Sequence, residues 1–590
     1  MEFYTTRREQ FLKELAHHTK QYNTISLIRF IIAIAFLILG YYSVQSANPV
    51  KFVIAMALCA LAFSGLMRLH TAVSKKKERA AALVAVNEQE ITYLTGHGIP
   101  FADGTHFADH NHAYSHDLDV FGQRSLFHNL NRTETFKGAN KLAELLLNVL
   151  PQPEILLNQA AVKELAAKPE WRQEVMALGK SNKDSADAYY KLQEWLKHNP
   201  VSLSPVAGIL AVISPLALLA AVIGYLCTGN GIFATVAEYL IGFNFIFILG
   251  YIKIIKNEIE HTTEIHETIH RYALIIEQLE NELFTSEKLK NLQKTLTGSG
   301  EKASIHIKKL ALLFSRMDIV NNVFGAAILN SVSLFHFHTL KSLVSWKKNH
   351  ANNVILWLEA IAEAEAMGSF ANLYYNNPDF TFPQLNSDSH IIFKDLGHPL
   401  IKKGTRVGND ITFNPAFTIL TGSNMSGKST FLRSLGINMV LAGAGAPVCA
   451  TQAMVHPLPV LVSMRLSDSL SDSESYFFAE IKRLRQIMDA LQGEKAFVLL
   501  DEILRGTNSD DKRTGTIKVV KRMMGLNAIG AIATHDIEVC NTADEYPENL
   551  INRCFEVQIV DNELYFDYCL RDGICKNKSA TFIMEKMGVV

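Results

Sequence analysis

Thr421–Thr430 reads TGSNMSGKST, which sets Gly422, Gly427, Lys428 and Ser429 in the spacing G-x-x-x-x-G-K-S. Two glycines free the backbone N–H groups to turn toward an anion, the lysine adds a point charge, and the serine hydroxyl offers an oxygen to Mg2+. The expected ligand is a nucleotide phosphate, cradled by Gly422, Ser423, Asn424, Met425, Ser426, Gly427, Lys428, Ser429 and Thr430. Further on, AFVLLDE at 496–502 is an apolar run ending in two acids. Asp501 is placed to share Mg2+ with Ser429, and Glu502 to orient or deprotonate an attacking water. A third run, AIGAIATHD at 528–536, ends in Thr534 and His535, where an imidazole can sense a γ phosphate by hydrogen bonding. The chemistry these three stretches support is Mg2+-dependent ATP hydrolysis.

Such groups work only if strands and a helix hold them at one edge. FTIL at 417–420 is fit for a buried strand, and LRSLGINMVLA after the loop has helical character, so strand, glycine loop and helix follow in the order a P-loop needs. Phe477, Ile481, Leu484, Ile487 and Leu491 recur at helical spacing and predict a helix with a core face ahead of the acidic strand. Upstream, helical periodicity is strongest at 139–149 and 155–165. Residues 256–370 are helix-rich and broken by TGSG at 297–300, which predicts helices running out and back about that turn. Lys288, Lys290, Lys294, Lys302, Lys308 and Lys309 surround the break, and charge alone favours a solvated helical face over a phosphate-contacting tip.

Two regions of a different character interrupt this plan. No charge occurs from 30 to 50, and after Lys51 the run to Met67 is again uncharged; nothing from Asn199 to Ala237 is charged, and the apolar stretch resumes until Lys253. A bilayer core takes roughly 20 apolar residues per helix, so these read as two transmembrane hairpins turning near SANP at 46–49 and CTGNG at 227–231. Arg7, Arg8, Lys13 and Lys20 precede the first span and SKKKER follows the second, which keeps both flanks inside. The expected location is the cell inner (plasma) membrane, multi-pass, with the nucleotide domain in the cytoplasm. The polar residues ahead of the first run, and its length, argue against a cleaved signal peptide. Glu238, inside the fourth span, lies near the outer end and can reach the interface.

The chain of 590 residues is too long for one core. Its 57 Lys and Arg against 58 Asp and Glu give no global sign of a nucleic-acid binder. Seven cysteines without a C-x-x-C pair fit a reducing compartment and no disulfide framework. His106, His110, His112 and His116 crowd one stretch, but interspersed Gly, Pro and Asn deny them helical i, i+4 geometry, so a structural loop is expected there and no metal.

Gly422–Thr430, DEILRGT at 501–507 and Thr534-His535 together resemble the ATPase of the MutS mismatch-repair family. LGHPLI at 396–401 is similar to the segment that enters that domain, and 117–146 and 154–167 resemble its helical core, so the likeness covers most of 110–198 and 256–560. The resemblance implies a homodimer in which a loop from the partner completes each ATP site; Ser475, Phe477 and Glu480 match that loop, with Ser473 where a glycine is usual. It also implies DNA as a partner, with no counterpart of the family's mismatch-reading domain expected, since the first hairpin occupies that region, and no C-terminal nuclease-like module expected. Transport is the rival reading of an ATPase joined to membrane spans, but no LSGGQ signature occurs between 430 and 500. An ATP-controlled membrane scaffold without DNA is the other.

The expected fold class is therefore an α/β P-loop ATPase domain of MutS/ABC type, preceded by an all-α core and lever, with two transmembrane helical hairpins. The divisions expected are a cytoplasmic segment at 1–23, hairpin 1 at 24–73, the first part of the helical core at 74–199, hairpin 2 at 200–255, a helical lever at 256–385 and the ATPase domain at 386–590.

Overall fold

The computed structural model describes residues 1–46, 49–180, 185–260, 263–298, 300–414, 416–465, 476–560 and 563–575. Helices dominate up to residue 376. The first two, Glu2–Gln45 and Val50–Thr95, lie side by side for most of their length and run unbroken through the divisions drawn at 23 and 73. Apolar and charged residues are both compatible with one continuous helix, so the change in composition does not break it. A second pair, Pro205–Thr228 and Gly231–Glu260, turns at Gly229, whose φ of 65° suits glycine. All four are long and apolar enough to cross a membrane, and little of each apolar window is covered by the rest of the chain.

Between the two pairs, short helices at 136–147, 152–166, 169–180 and 186–197 fold against Phe335–Asn376, a single helix of 42 residues. The lever region is built of Thr263–Asn281, Glu287–Thr297 and Ala303–Asp318, with the break at 298–302 where the Gly-Ser turn is expected. Lys288 pairs with Glu363, Lys308 with Glu277 and Lys302 with Asn281, so half of the lysine cluster is engaged within the chain. One buried node ties three long helices together. Glu90, 1% exposed, pairs with Arg132 and accepts from Asn372 Nδ2 at 3.0 Å and Asn376 Nδ2 at 3.3 Å, while the Tyr4 hydroxyl donates to Asn376 at 2.9 Å.

Among the described residues ten strands form two sheets: β1 (Gln384–Leu385), β2 (Ile391–Leu396), β3 (Asn409–Phe413), β4 (Phe417–Gly422), β5 (Gln452–Val455), β6 (Val460–Ser463), β7 (Phe497–Asp501), β8 (Ile529–Ala533), β9 (Leu550–Val560) and β10 (Glu563–Asp572). The smaller sheet has the order β1-β5-β2-β3, so the division drawn at 385 passes through it. The larger has the order β10-β9-β4-β8-β7-β6, parallel except for the β9–β10 hairpin. Both faces of β7 are covered: Phe497 and Leu499 join the large core shared with the helical region, and Val498 and Leu500 join a second core under the helices 476–493, 509–525 and 537–545. That explains a run of apolar residues without alternation.

Candidate nucleotide site

Strand order brings the three motifs to one edge. β8 lies between β4 and β7, with Ala533 opposite both Leu420 and Asp501, so the glycine loop, the acidic pair and Thr534-His535 leave the sheet side by side. Thr534 N–H donates to Leu420 O at 2.9 Å and Glu502 N–H to Ala533 O at 3.0 Å, which locks the exits together. Ligands of open parallel sheets gather at this carboxyl end.

The glycine loop then opens the helix Lys428–Ala444, with Gly427 at φ 101°. Lys428 is buried and its Nζ donates to Gly422 O at 2.8 Å and Ser423 O at 3.0 Å, so the ammonium is folded over the loop it serves. Burial pushes its pKa down, against the pull of Glu502 and Asp501. Ser429 Oγ donates to Asp501 Oδ2 at 2.6 Å. The other oxygen, Asp501 Oδ1, is buried without a hydrogen-bond partner, as are Ser423 Oγ and Ser426 Oγ. A carboxylate oxygen left bare beside a serine hydroxyl suits a divalent cation, so Ser429 and Asp501 fit the group expected of them.

Glu502 sits in the left-handed region at φ 48°, a strained conformation for a residue with a side chain. Its Oε1 lies 2.6 Å from His535 Nε2. That hydrogen bond, helped by the charges of His535, Arg505 and Lys428, holds the carboxyl down to about 2, against the opposing effect of partial burial. The sequence places every residue of the glycine loop, Asp501, Glu502 and His535 here, and the structure brings all of them together. Ser475 lies outside the described residues.

Other parts of the site left no local signal. A cavity of about 540 Å3 over the loop is also lined by His398, Ile401, Arg406, Val407, Phe555 and Tyr568, contributed by distant segments. Burial, together with the nearby Arg433, pushes the His398 imidazole down to about 4, so it is neutral at physiological pH. Glu480, assigned by resemblance to the partner-facing loop, acts within its own chain: it accepts from Leu504 N–H at 2.7 Å and Arg505 N–H at 3.1 Å, fixing the turn after Glu502. Ile481, expected on the core face of that helix, is 38% exposed, while Leu484, Ile487 and Leu491 are buried as expected and Met488 joins them. The histidine-rich stretch has a docking role. His112 Nδ1 accepts from Ser115 N–H at 3.2 Å, Val462 N–H of edge strand β6 donates to Ala113 O at 3.0 Å, and Asp117 accepts from Met464 and Arg465 N–H groups, both at 2.7 Å.

Asn438 on the P-loop helix, fully buried, donates to Gly397 O at 3.0 Å and accepts from Cys449 N–H at 2.6 Å. It therefore holds the His398 wall against the helix that carries Lys428. Asn438→Ala strands two buried backbone groups, and a loss of about 2–3 kcal/mol is expected, read as a lower unfolding midpoint together with weaker nucleotide binding.

A central parallel sheet, a glycine loop opening a helix, and an acidic pair with a histidine between them define a P-loop nucleotide-binding domain. Residues 418–589 match the family model for MutS domain V. Similar relatives include a DNA mismatch repair protein MutS 2 from Halobacterium salinarum, 32% identical over 39% of this chain and 27% of the relative. A DNA mismatch repair protein MutS from Ehrlichia chaffeensis is 31% identical over 40% of this chain and 30% of its own length, and the human MutS protein homolog 4 is 29% identical over 35% and 22%. The C-terminal part of the chain belongs to the MutS family. The matched stretch spans less than a third of each of these relatives.

Proposed function

We propose that this protein is a membrane-anchored MutS-like ATPase, working as a homodimer, whose nucleotide cycle moves the long helices that lead to its membrane hairpins. The observation that carries the proposal is the bare Asp501 Oδ1 beside Ser429, next in the chain to Glu502 and its pair with His535. Bound Mg2+ would supply charge neutralisation to the phosphates. Lys428 leaves the loop carbonyls for the phosphate oxygens, Glu502 orients the attacking water, and His535 reports the γ phosphate by turning toward it. Water adds to the γ phosphorus as the bond to the bridging oxygen breaks, giving ADP and phosphate. Ser475 of a partner subunit is the group assigned to complete each site.

A multi-pass location in the cell inner membrane is part of this reading, and it is supported by four helices long and apolar enough to cross a bilayer, whose apolar windows are 6%, 0%, 28% and 11% covered by the chain. DNA is the partner suggested by the names of the relatives, which are mismatch-repair proteins. The scaffold reading keeps a specific support, since Lys288, Lys302 and Lys308 are already partnered. Detergent-solubilised full chain should hydrolyse ATP only with Mg2+, and Lys428→Ala should weaken nucleotide binding by about 100-fold, because a buried charge-assisted contact is removed. Affinity unchanged within threefold in that variant rejects the site. Salt-dependent retention of duplex or branched DNA by the same preparation supports DNA, and none with or without ATP leaves the scaffold.

A further inference from the structure

The segment between Asp318 and Lys341 carries no Asp, Glu, Lys or Arg. It holds the helix Val323–Ser333, then reverses at Leu334, which has φ 49°, into the helix Phe335–Asn376. Phe324, Ile328 and Val332 are 84%, 66% and 54% exposed and recur every four residues, so one apolar face of the short helix is open along its length. The opposite side rests on Gly231–Glu260.

Polar contacts between this segment and the second hairpin fix its level. Asn244, fully buried, accepts from Ser214 Oγ at 2.6 Å and donates to Ser331 O at 2.9 Å. Pro215 has no N–H to give to Ala211 O four residues back, and His338 Nε2 lies 2.9 Å from that oxygen, supplying the missing donor. Lys341 Nζ lies 3.4 Å from where a Cβ on Gly208 would stand. Gly208 thus faces Lys341, Ala211 bonds His338, and Ser214 reaches Ser331 through Asn244, in that order along the helix. The chain enters beside the hairpin after Asp318, descends to the level of Ser214 and climbs back to Lys341. Asn244 is nine residues before Lys253, which is about 13 Å along the helix and within a hydrocarbon core of about 30 Å. Ala207, Ala211, Ile248, Met317, Phe337 and Leu340 share one small apolar core across the junction.

We propose that residues 319–340 form a half-span, re-entrant element seated in the cytoplasmic leaflet, with lipid acyl chains covering Phe324, Ile328 and Val332. The proposal rests on the reading that the second hairpin crosses the membrane. Lipid is the occupant because the open face continues the lipid-facing surface of that hairpin and its ends are marked by the first charges on either side. Helix bonds, Asn244 on Ser331 O, and the Asn322 and Asn330 side chains on Gly325 and His336 N–H serve backbone groups within it, in keeping with a hydrocarbon environment.

The test uses the full chain with Cys59, Cys227, Cys569 and Cys575 replaced by serine, carrying single cysteines labelled with an environment-sensitive fluorophore and reconstituted in phosphatidylcholine–phosphatidylglycerol vesicles. Nitroxides on the acyl chains should quench Ile328→Cys and Val332→Cys at least half as strongly as Leu219→Cys in the hairpin, and leave Leu356→Cys on the long helix unquenched. Quenching at 219 without quenching at 328 and 332 overturns the half-span element and leaves the hairpin reading standing. No quenching at 219 either overturns both. Disulfide cross-linking between protomers at 328, in place of quenching, would make a second copy the occupant and overturn the lipid assignment.

Discussion

Glu502→Gln is expected to bind ATP within a few-fold of the unaltered protein while its turnover falls by about 100- to 10,000-fold, the usual contribution of a positioned base. The amide keeps the shape and can still hydrogen-bond, but it has no charge with which to polarise water. The pair with His535 adds a second layer. A carboxylate held down to about 2 is a weak proton acceptor, so the resting site keeps its base engaged until His535 turns away. An arriving γ phosphate is the natural competitor for that imidazole. His535→Ala removes the largest influence lowering the Glu502 pKa, which then rises toward 4.5. Since activity needs the ionised carboxylate and the pair exists in the free enzyme, the acid limb of the rate profile at sub-saturating ATP should move to higher pH in that variant. Single-turnover hydrolysis from pH 4 to 8 measures both effects, and unchanged turnover in Glu502→Gln removes Glu502 from its role.

Gly530→Ala carries the largest structural effect expected. Gly530 lies in β8 at φ 148°, and an added Cβ would sit 1.9 Å from Val498 O and 2.8 Å from Val498 N and C in the neighbouring strand β7. No side-chain rotation relieves a collision with backbone. The strands must part, and they are the two whose ends set His535 against Glu502. A loss on the order of 3 kcal/mol or more follows from forced backbone shifts in a packed sheet. The nucleotide domain should therefore unfold at a distinctly lower temperature, with ATP hydrolysis falling even below that temperature. Alanine at Gly493 serves as the comparison, because nothing lies within 4 Å of its added Cβ.

The legible and illegible parts of the site differ in how far their partners lie along the chain. Lys428 could be assigned from the spacing of the glycine loop that follows an apolar run, and Asp501, Glu502 and His535 because each sits at the end of one, and such ends meet at one edge of a parallel sheet. Glu480 could not be assigned to Leu504 and Arg505, since that contact depends on how the helix 476–493 lies beneath the sheet. The same holds for Tyr568, which reaches the glycine loop from the antiparallel hairpin β9–β10, and for Asn438 beneath His398. The turns near 46–49 and at 227–231 were visible as uncharged runs with Gly, Pro and Asn between them, although residues 47 and 48 lie outside the described residues. That the first two helices continue far beyond the apolar runs was not visible, because charged residues permit a helix as readily as apolar ones.

The node at Glu90 gives those long helices a mechanical meaning. Val50–Thr95 has 46 residues, roughly 69 Å at 1.5 Å each, and it is pinned to Asn372 and Asn376 near its far end. A rod of that length tilted by about 5° carries its tip roughly 6 Å sideways, more than the length of one helical turn. A helix that crosses a bilayer can answer a mismatch in thickness by tilting, within the limits its packing allows. On the proposed membrane reading the bilayer would be a load on the ATPase: a thicker or thinner membrane would bias the rod, and each closure of the nucleotide site would do work against the lipid.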